Sequence, residues 1–482
     1  MTGYRWRWIG LLAVLAASLM NLLDVNIVNI AAPTIRADLG GSYADLQWLT
    51  AGYTLAMAVG LLTGGRLGDM FGRKRMLLLG AAGFTLASLA CALAPTEGFL
   101  ITARIAQGLI GAVMVPQGFG LIRDMFSPQD VGKAFGVFGP AIGLATILGP
   151  ILAGFLIRLD GWRLIFLINV PLGVAAIALG IRFVPAVAPT AGESRLDLTG
   201  TLLAGVAMFL LVYPLVEGRQ HAWAGWVIAT AICSVPAFAV FALHQRRRRR
   251  RGKFPLVELG VFTKRSYSSG LVFVLVFFGA VAGISLSISL LLQLGLGYSP
   301  EHASLVAATS AVGAFLGTGV SASLAPKLGR TVLHIGLIVM AGGLAGVYLV
   351  LAHTHVALSG WALAGPLFAY GIGMGMIFLP LYDVVIADVS DTEVGSAAGV
   401  LEAVQQLGGS LGVAVMGTIY FSLMGVSAVA HRTNSLHAAQ VTTLATIAAT
   451  VLAFGIGFLL PRKPRAGSQS AAAAVPEDPA FV

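Results

Sequence analysis

The chain has 482 residues, of which 57% are hydrophobic and only 10% charged, with a net charge of +10. Soluble domains carry about 25% charged residues, and a mean hydropathy of +0.89 excludes a disordered chain, a disulfide scaffold and an ordinary cytosolic enzyme. A membrane-spanning helix needs about 20 apolar residues, so fourteen of them would take up about 280 residues, close to the apolar share. The 61 glycines are nearly twice the usual ~7%, as suits lipid-embedded helices that pack closely through small residues.

Fourteen apolar segments follow one another: 8–32, 46–65, 76–94, 99–122, 134–157, 162–184, 198–216, 224–243, 268–294, 303–324, 331–352, 361–382, 396–422 and 438–460. None alternates like a barrel strand, so all are expected to be helices. The first, preceded by Arg5 and Arg7, resembles a signal peptide, but it continues past Asp24 and many spans follow. Cys91 and Cys233 both lie inside apolar runs, which leaves no disulfide framework and no zinc cluster.

With the N-terminus inside, 24 of the 30 Lys and Arg fall on inner segments. Five (Arg36, Arg158, Arg163, Arg219 and Arg432) fall on outer loops, and Arg104 lies within a span. This asymmetry predicts an even number of spans with both termini cytoplasmic in a plasma or bacterial inner membrane. The run Arg246 to Arg251 then reads as a cytoplasmic loop against anionic lipid headgroups. Nucleic acid is excluded as a partner, since no stacking aromatics accompany the charge. The end, Ala466 to Val482, is small and polar with Pro476 and Pro479, and reads as a disordered tail.

An internal repeat is visible. Gly65 to Met76 reads GRLGDMFGRKRM, and Leu67, Gly72 and Arg73 match Leu324, Gly329 and Arg330 in ASLAPKLGRTVL. The offset is longer than six helices and fits eight. The expected architecture is therefore a six-helix bundle at 1–190, two inserted helices at 191–245 and a basic loop at 246–265. A second six-helix bundle follows at 266–462, with a tail at 463–482. Parallel repeats of this kind place a substrate site between the halves.

No nucleotide-binding, HExxH, GxSxG or paired CxxC motif occurs. The chain therefore reads as neither an enzyme nor an ATP-driven pump, and no cofactor or metal site is expected. Energy for any pumping must come from an ion gradient or a partner. Ionisable groups within spans are costly and functional by default, and three qualify: Asp24, Arg104 and Glu402. Asp24 lies about 12 Å and Arg104 about 8 Å from the outer ends of their spans, so they can pair. Burial disfavours a charged carboxylate and a nearby Arg favours it. A group balanced between the two can exchange a proton, and a permanent bridge joining spans 1 and 4 is the structural alternative. Glu402, about 10 Å from the inner face, with Gln405 and Gln406 one turn on, reads as a second proton site, a counter-charge for a cation, or helix glue.

The loop GGRLGDMFGRKR sets Asp69 among Arg66, Arg73, Lys74 and Arg75. Its glycines let helix ends approach, and Gly65, Asp69, Gly72 and Arg73 read as a cytoplasmic latch or as a solvated turn. In the fifth span Ala145, Gly149 and Ala153 recur every four positions, a stripe for close contact. Pro150 permits a bend, and Gly154 completes the small-residue set.

Together these residues resemble the major facilitator superfamily and, within it, the fourteen-span drug/proton antiporter branch of the EmrB/QacA type. LLDVNIVNIAAPTI looks like its first-helix motif, with Asn26 where threonine is usual. GGRLGDMFGRKR looks like its signature loop, and RIAQGLIGAVMVP resembles its fourth-helix motif through Arg104, Gln107, Gly108 and Pro116. ATILGPILAG resembles its helix-5 antiporter motif, and WRLIFLINVPLG is very like this branch.

The resemblance implies two six-helix bundles plus two inserted helices and export by alternating access coupled to protons. It assigns coupling to Asp24 and Arg104 and conformational roles to Asp69, Arg73, Gly149 and Pro150; Asn26, Gln107, Gln405 and Gln406 are the expected substrate pathway. In GSAAGVLEAVQQLGGSLG the branch more often has Asn where Glu402 stands and Arg where Gln405 stands, which favours cationic substrates here. The expected partners are a small molecule, protons and lipids. No motif speaks for or against an envelope-spanning partner. A broad exporter of amphipathic compounds, a dedicated exporter of one metabolite, and a non-transporting membrane sensor or scaffold are the three readings.

Overall fold

A computed structural model describes residues 4–127, 130–187, 196–253, 255–257, 259–353, 358–389, 394–424 and 431–461. The tail at 463–482 lies outside them. Among the described residues the fold is all helical, with no strand. The helices are α1 (Arg7–Leu39), α2 (Tyr43–Phe71), α3 (Arg73–Ala92), α4 (Glu97–Met125), α5 (Val131–Asp160), α6 (Leu164–Leu167) and α7 (Asn169–Phe183). Then come α8 (Leu198–Glu217), α9 (Gly225–Arg250), α10 (Arg265–Leu290), α11 (Pro300–Leu328), α12 (Thr331–His353), α13 (Ala364–Val385), α14 (Val394–Met424) and α15 (His431–Gly457). Thirteen spans among the described residues are long and apolar enough to cross a membrane, and α5 is a further helix of 30 residues.

Helix ends follow backbone chemistry more than hydropathy. The first apolar segment stops at residue 32, yet α1 runs on through Pro33 to Leu39 and ends at Gly40, whose φ of +83° suits glycine. In α2, Ser42 and Asp45 form a reciprocal capping box.

Packing repeats along the chain. α1 packs on α5 and α7, α2 on α4, and α3 on α4 and α7. In the second bundle α10 packs on α14 and α15, α11 on α13, and α12 on α13 and α15. The repeated loops also act alike. Lys74 Nζ donates to the carbonyls of Ile181 (2.9 Å) and Val184 (2.6 Å) at the end of α7. Arg330 Nη1 donates to those of Phe458 (2.8 Å) and Leu460 (2.6 Å) at the end of α15. Each cation thus satisfies carbonyls that a helix C-terminus leaves open.

The two bundles meet along α2–α14 and α5–α11. Their polar contacts gather at the face away from the Arg246–Arg251 run. Ser289 Oγ donates to Asn29 O (2.9 Å), Gln293 Nε2 to Ile30 O (2.9 Å) and Ser410 Oγ to Ala51 O (3.1 Å). Arg158 pairs with Glu301 at 2.8 Å. The structure is closed at this face.

The pair α8–α9 packs beside α2 and α14. Its ends are tied by Asp197, whose side chain is fully buried. Asp197 caps α8 through Gly200 N (2.9 Å) and accepts from Gln245 Nε2 (3.0 Å), with His244 Nε2 at 3.0 Å and Arg248 Nη1 at 3.4 Å. Burial pushes its pKa up, but the Gly200 N–H, His244, Gln245 and Arg248 outweigh it and hold it below the usual range. Replacing Asp197 by Ala removes a cap and strands two donors, a loss of about 2 kcal/mol. A lowered carboxylate pKa contributes stability above its unfolded value, so the deficit is present at pH 7 and closes as pH falls below about 4. Thermal melting of both proteins across that range checks this.

Candidate proton-coupling site and substrate path

Asp24 and Arg104 meet inside the α1–α7 bundle. Both side chains are 1% exposed, and Arg104 Nη1 donates to Asp24 Oδ2. Helical spacing brings their neighbours in. Gln107, one turn after Arg104 on the same face of α4, donates from Nε2 to Asp24 Oδ1 (2.9 Å) and to Ser88 Oγ (2.8 Å). It accepts from Arg104 Nη1 at 2.6 Å. Asn169, the first residue of α7, donates to Asp24 Oδ1 (3.2 Å). Arg104 Nε donates to Leu49 O (3.1 Å), and its guanidinium lies 4.1 Å from the Tyr53 ring centroid. Tyr53 Oη in turn donates to Asn21 (2.5 Å).

A buried ion pair of this kind is tolerated because further hydrogen bonds surround it: both Asp24 oxygens and the Arg104 Nε and Nη1 are bonded, while Arg104 Nη2 has no hydrogen-bond partner among the described residues; removing one member of such a pair costs about 3–5 kcal/mol. Gln107, expected on a substrate pathway, is fully buried, and its amide is hydrogen-bonded within this cluster. Ser88, Tyr53 and Asn169 are members that the sequence reading missed. Asn169 is placed by WRLIFLINVPLG: Trp162 Nε1 (2.9 Å) and Arg163 Nη1 (2.7 Å) both bind Asp38 at the end of α1. The Trp162 hydrogen bond first, and Arg163 with it, hold the Asp38 carboxyl below its ordinary range.

At the α2–α3 junction Gly72 has φ +93°. Arg73 bridges Asp69 (3.1 Å) on α2 and Asp124 (3.0 Å) on α4, so the network ties α2, α3 and α4 of one bundle. Asp124 was not anticipated. The glycines of this loop are not equally close to α4. A Cβ at Gly65 would come no closer than 4.0 Å to Pro116, whereas one at Gly64 would stand 1.9 Å from Ala112 O. One at Gly68 would stand 1.8 Å from Gln117 Oε1. Gly64 and, nearer the other end, Gly108, where a Cβ would stand 2.3 Å from Tyr53 O, therefore let the α2 and α4 backbones approach, while Gly68 makes room for the Gln117 amide.

On α5, Gly149 and Ala153 are buried or nearly so and Pro150 is half-buried. The Ala145 side chain lies outside the described residues. Gly154 faces the other bundle: a Cβ there would lie 2.3 Å from Ser304 Oγ and 2.6 Å from Glu301 Cα on α11.

Glu402 belongs to a different surface. On α14, Gly408 and Gly412 touch α10, Gly399 and Gly417 touch α2, and Val400, Ala403, Val404 and Leu407 face α8 and α9. At about 100° per residue, Glu402 occupies the remaining face, turned toward the seam between the bundles, with Gln405 and Gln406 on either side. Tyr382 Oη donates to Gln405 Oε1 beside it. Asp383, which the sequence reading left just beyond its span, lies within α13 and is half-buried. The Asn26 side chain lies outside the described residues. The polar machinery is thus divided between a sealed cluster at Asp24 and a seam-facing patch at Glu402.

The sequence model described as Major Facilitator Superfamily matches residues 14–413. The chain belongs to this superfamily. It is a multi-pass membrane transport protein and not an enzyme. Among curated proteins it is similar to the probable actinorhodin transporter of Streptomyces coelicolor, 45% identical over 433 residues, which cover 89% of this chain and 75% of that one. It is also similar to the tetracenomycin C resistance and export protein of Streptomyces glaucescens, at 34% identity over 88% and 78% of the two chains. The puromycin resistance protein of Streptomyces alboniger is 33% identical, over 94% and 89%. Among solved structures, a bacterial homologue of the human lysosomal transporter Spinster, inward-facing and occupied, aligns with a TM-score of 0.63 at 16% identity, over 94% and 96% of the chains. That likeness concerns the fold alone.

Proposed function

We propose that this transporter exports small amphipathic compounds, cationic ones among them, in exchange for protons. The observation that carries the reading is Asp24: an acid sealed from water, held by Arg104, Gln107 and Asn169 from two other helices. Protonating it removes the counter-charge of Arg104, so proton uptake must be accompanied by a shift of α1 against α4. Breaking such a pair costs about 3–5 kcal/mol, and a membrane potential supplies about 2.3 kcal/mol per charge per 100 mV. The two are of the same order, as reversible coupling requires. The basic face is cytoplasmic by the distribution of Lys and Arg, both termini lie there, and the closed face is external.

Fourteen spans, arranged as bundles at 1–190 and 266–462 around the pair at 191–245, agree with the repeated packing and support the EmrB/QacA-type branch. Asp69, Gly72 and Arg73 keep α2–α4 rigid near the cytoplasm. Gly149, Pro150 and Gly154 let α5 close on α11. Glu402, with Gln405 and Gln406, meets the substrate. The relatives named for actinorhodin, tetracenomycin C and puromycin favour a second reading, a dedicated exporter of one natural product. Cells expressing the protein and loaded with a panel of unrelated dyes and antibiotics separate the readings. Uncoupler-sensitive efflux of several scaffolds supports the first, efflux of one scaffold the second, and no efflux of any contradicts both.

A further inference from the structure

Where α8 leans on the α2–α14 seam, with α9 beside it, a cavity of about 370 Å³ is left. Its wall is apolar throughout, with Leu62 from α2, Met208 from α8, Phe241 from α9 and Val404 from α14, and Phe262 from the connecting segment. Glu402 lies on the opposite side of α14, so the cavity is separate from the polar patch at the seam. The volume falls at the lower end of ligand pockets, and nothing in the lining offers a polar group to orient a drug-like molecule.

The cation supply lies directly beyond the cavity. Ala242 lines it, and Arg246 and Arg249 follow at i+4 and i+7 on the same side of α9, both exposed. The distance from Ala242 to Arg246 along the axis is about 6 Å. Exposed Lys253 and Arg265 flank the connecting segment. An apolar slot at membrane depth beneath a cluster of cations matches the two ends of one molecule, a hydrocarbon chain and an anionic headgroup.

We propose that this cavity is a binding site for an anionic glycerophospholipid of the leaflet at the basic face, with one acyl chain in the cavity and its phosphate on Arg246 and Arg249. The bound chain fills the space behind α2 and α14, one of the two helix pairs along which the bundles meet, and so couples the inserted pair to their movement.

Native mass spectrometry of the delipidated full-length protein, titrated with phosphatidylglycerol and with phosphatidylcholine of the same chains, tests this. One phosphatidylglycerol should bind per chain with at least about a tenfold preference over phosphatidylcholine. Arg246→Gln/Arg249→Gln, both exposed, should fold normally and lose that preference. Val404→Trp should reduce binding of both lipids, with Ala204→Val as the milder filling if the tryptophan variant does not fold. Equal affinity for the two lipids, binding unchanged in the arginine variant, or glycerol phosphate binding as tightly as the intact lipid would each overturn the proposal. So would displacement of phosphatidylglycerol by an exported dye whose own binding Val404→Trp abolishes, since the cavity would then belong to the cargo.

Discussion

Asp24→Asn/Arg104→Gln should fold and express near wild-type levels yet lose proton-driven export by about 100-fold, the order by which removing a proton-transferring group slows a reaction. The double change is the informative one. Asp24→Asn alone leaves Arg104, fully buried, without a counter-charge, at a cost of about 3–5 kcal/mol. The single variant is therefore expected to be destabilised as well as uncoupled. Removing both charges restores balance, because the two introduced amides can still hydrogen-bond to Gln107 and Leu49 O. If the pair were only a bridge between α1 and α4, restoring stability would restore export. If Asp24 carries the proton, expression recovers and export does not. Membrane abundance and efflux, measured on the two single variants and the double, separate these outcomes.

Gly154→Leu should shift the transporter away from this closed state and reduce export by at least about fivefold. The new side chain would meet the α11 backbone at Glu301 Cα and Pro300 O, where a neighbour cannot swing aside. Overpacking costs about 1–3 kcal/mol, equivalent to a factor of about 5–150 in a two-state population. The cost applies only while α5 and α11 are together, so melting should change little. Spin labels at the external ends of α5 and α11 should report a longer distance in the variant. An unchanged distance with normal efflux would remove α5–α11 closure from the transport cycle.

Much of this was legible from residue order. Depth arithmetic alone put Asp24 and Arg104 at matching levels, because helix rise is constant and charged residues stand out in apolar runs. The neutral members of the same cluster did not stand out. Ser88, Tyr53 and Asn169 resemble ordinary packing residues until α3, α2 and α7 are seen to converge on Asp24. Gln107, expected along a pathway, lies on the face of α4 that Arg104 occupies one turn away, with its amide bonded to Asp24 and Ser88. Gly65 and Gly64 are indistinguishable by composition, and only the position of α4 shows that Gly64 meets its backbone and Gly68 the Gln117 amide. Asp124 follows Arg123 in the sequence, whereas its partner is Arg73, 51 residues earlier.

Simultaneous recording of solute and proton movement in proteoliposomes tests the central claim most directly. The account predicts that efflux of an exported dye accelerates with an imposed proton gradient, is accompanied by proton flux in the opposite direction, and loses both features in Asp24→Asn/Arg104→Gln. Solute flux indifferent to pH difference and voltage, and unaltered in that variant, would contradict it.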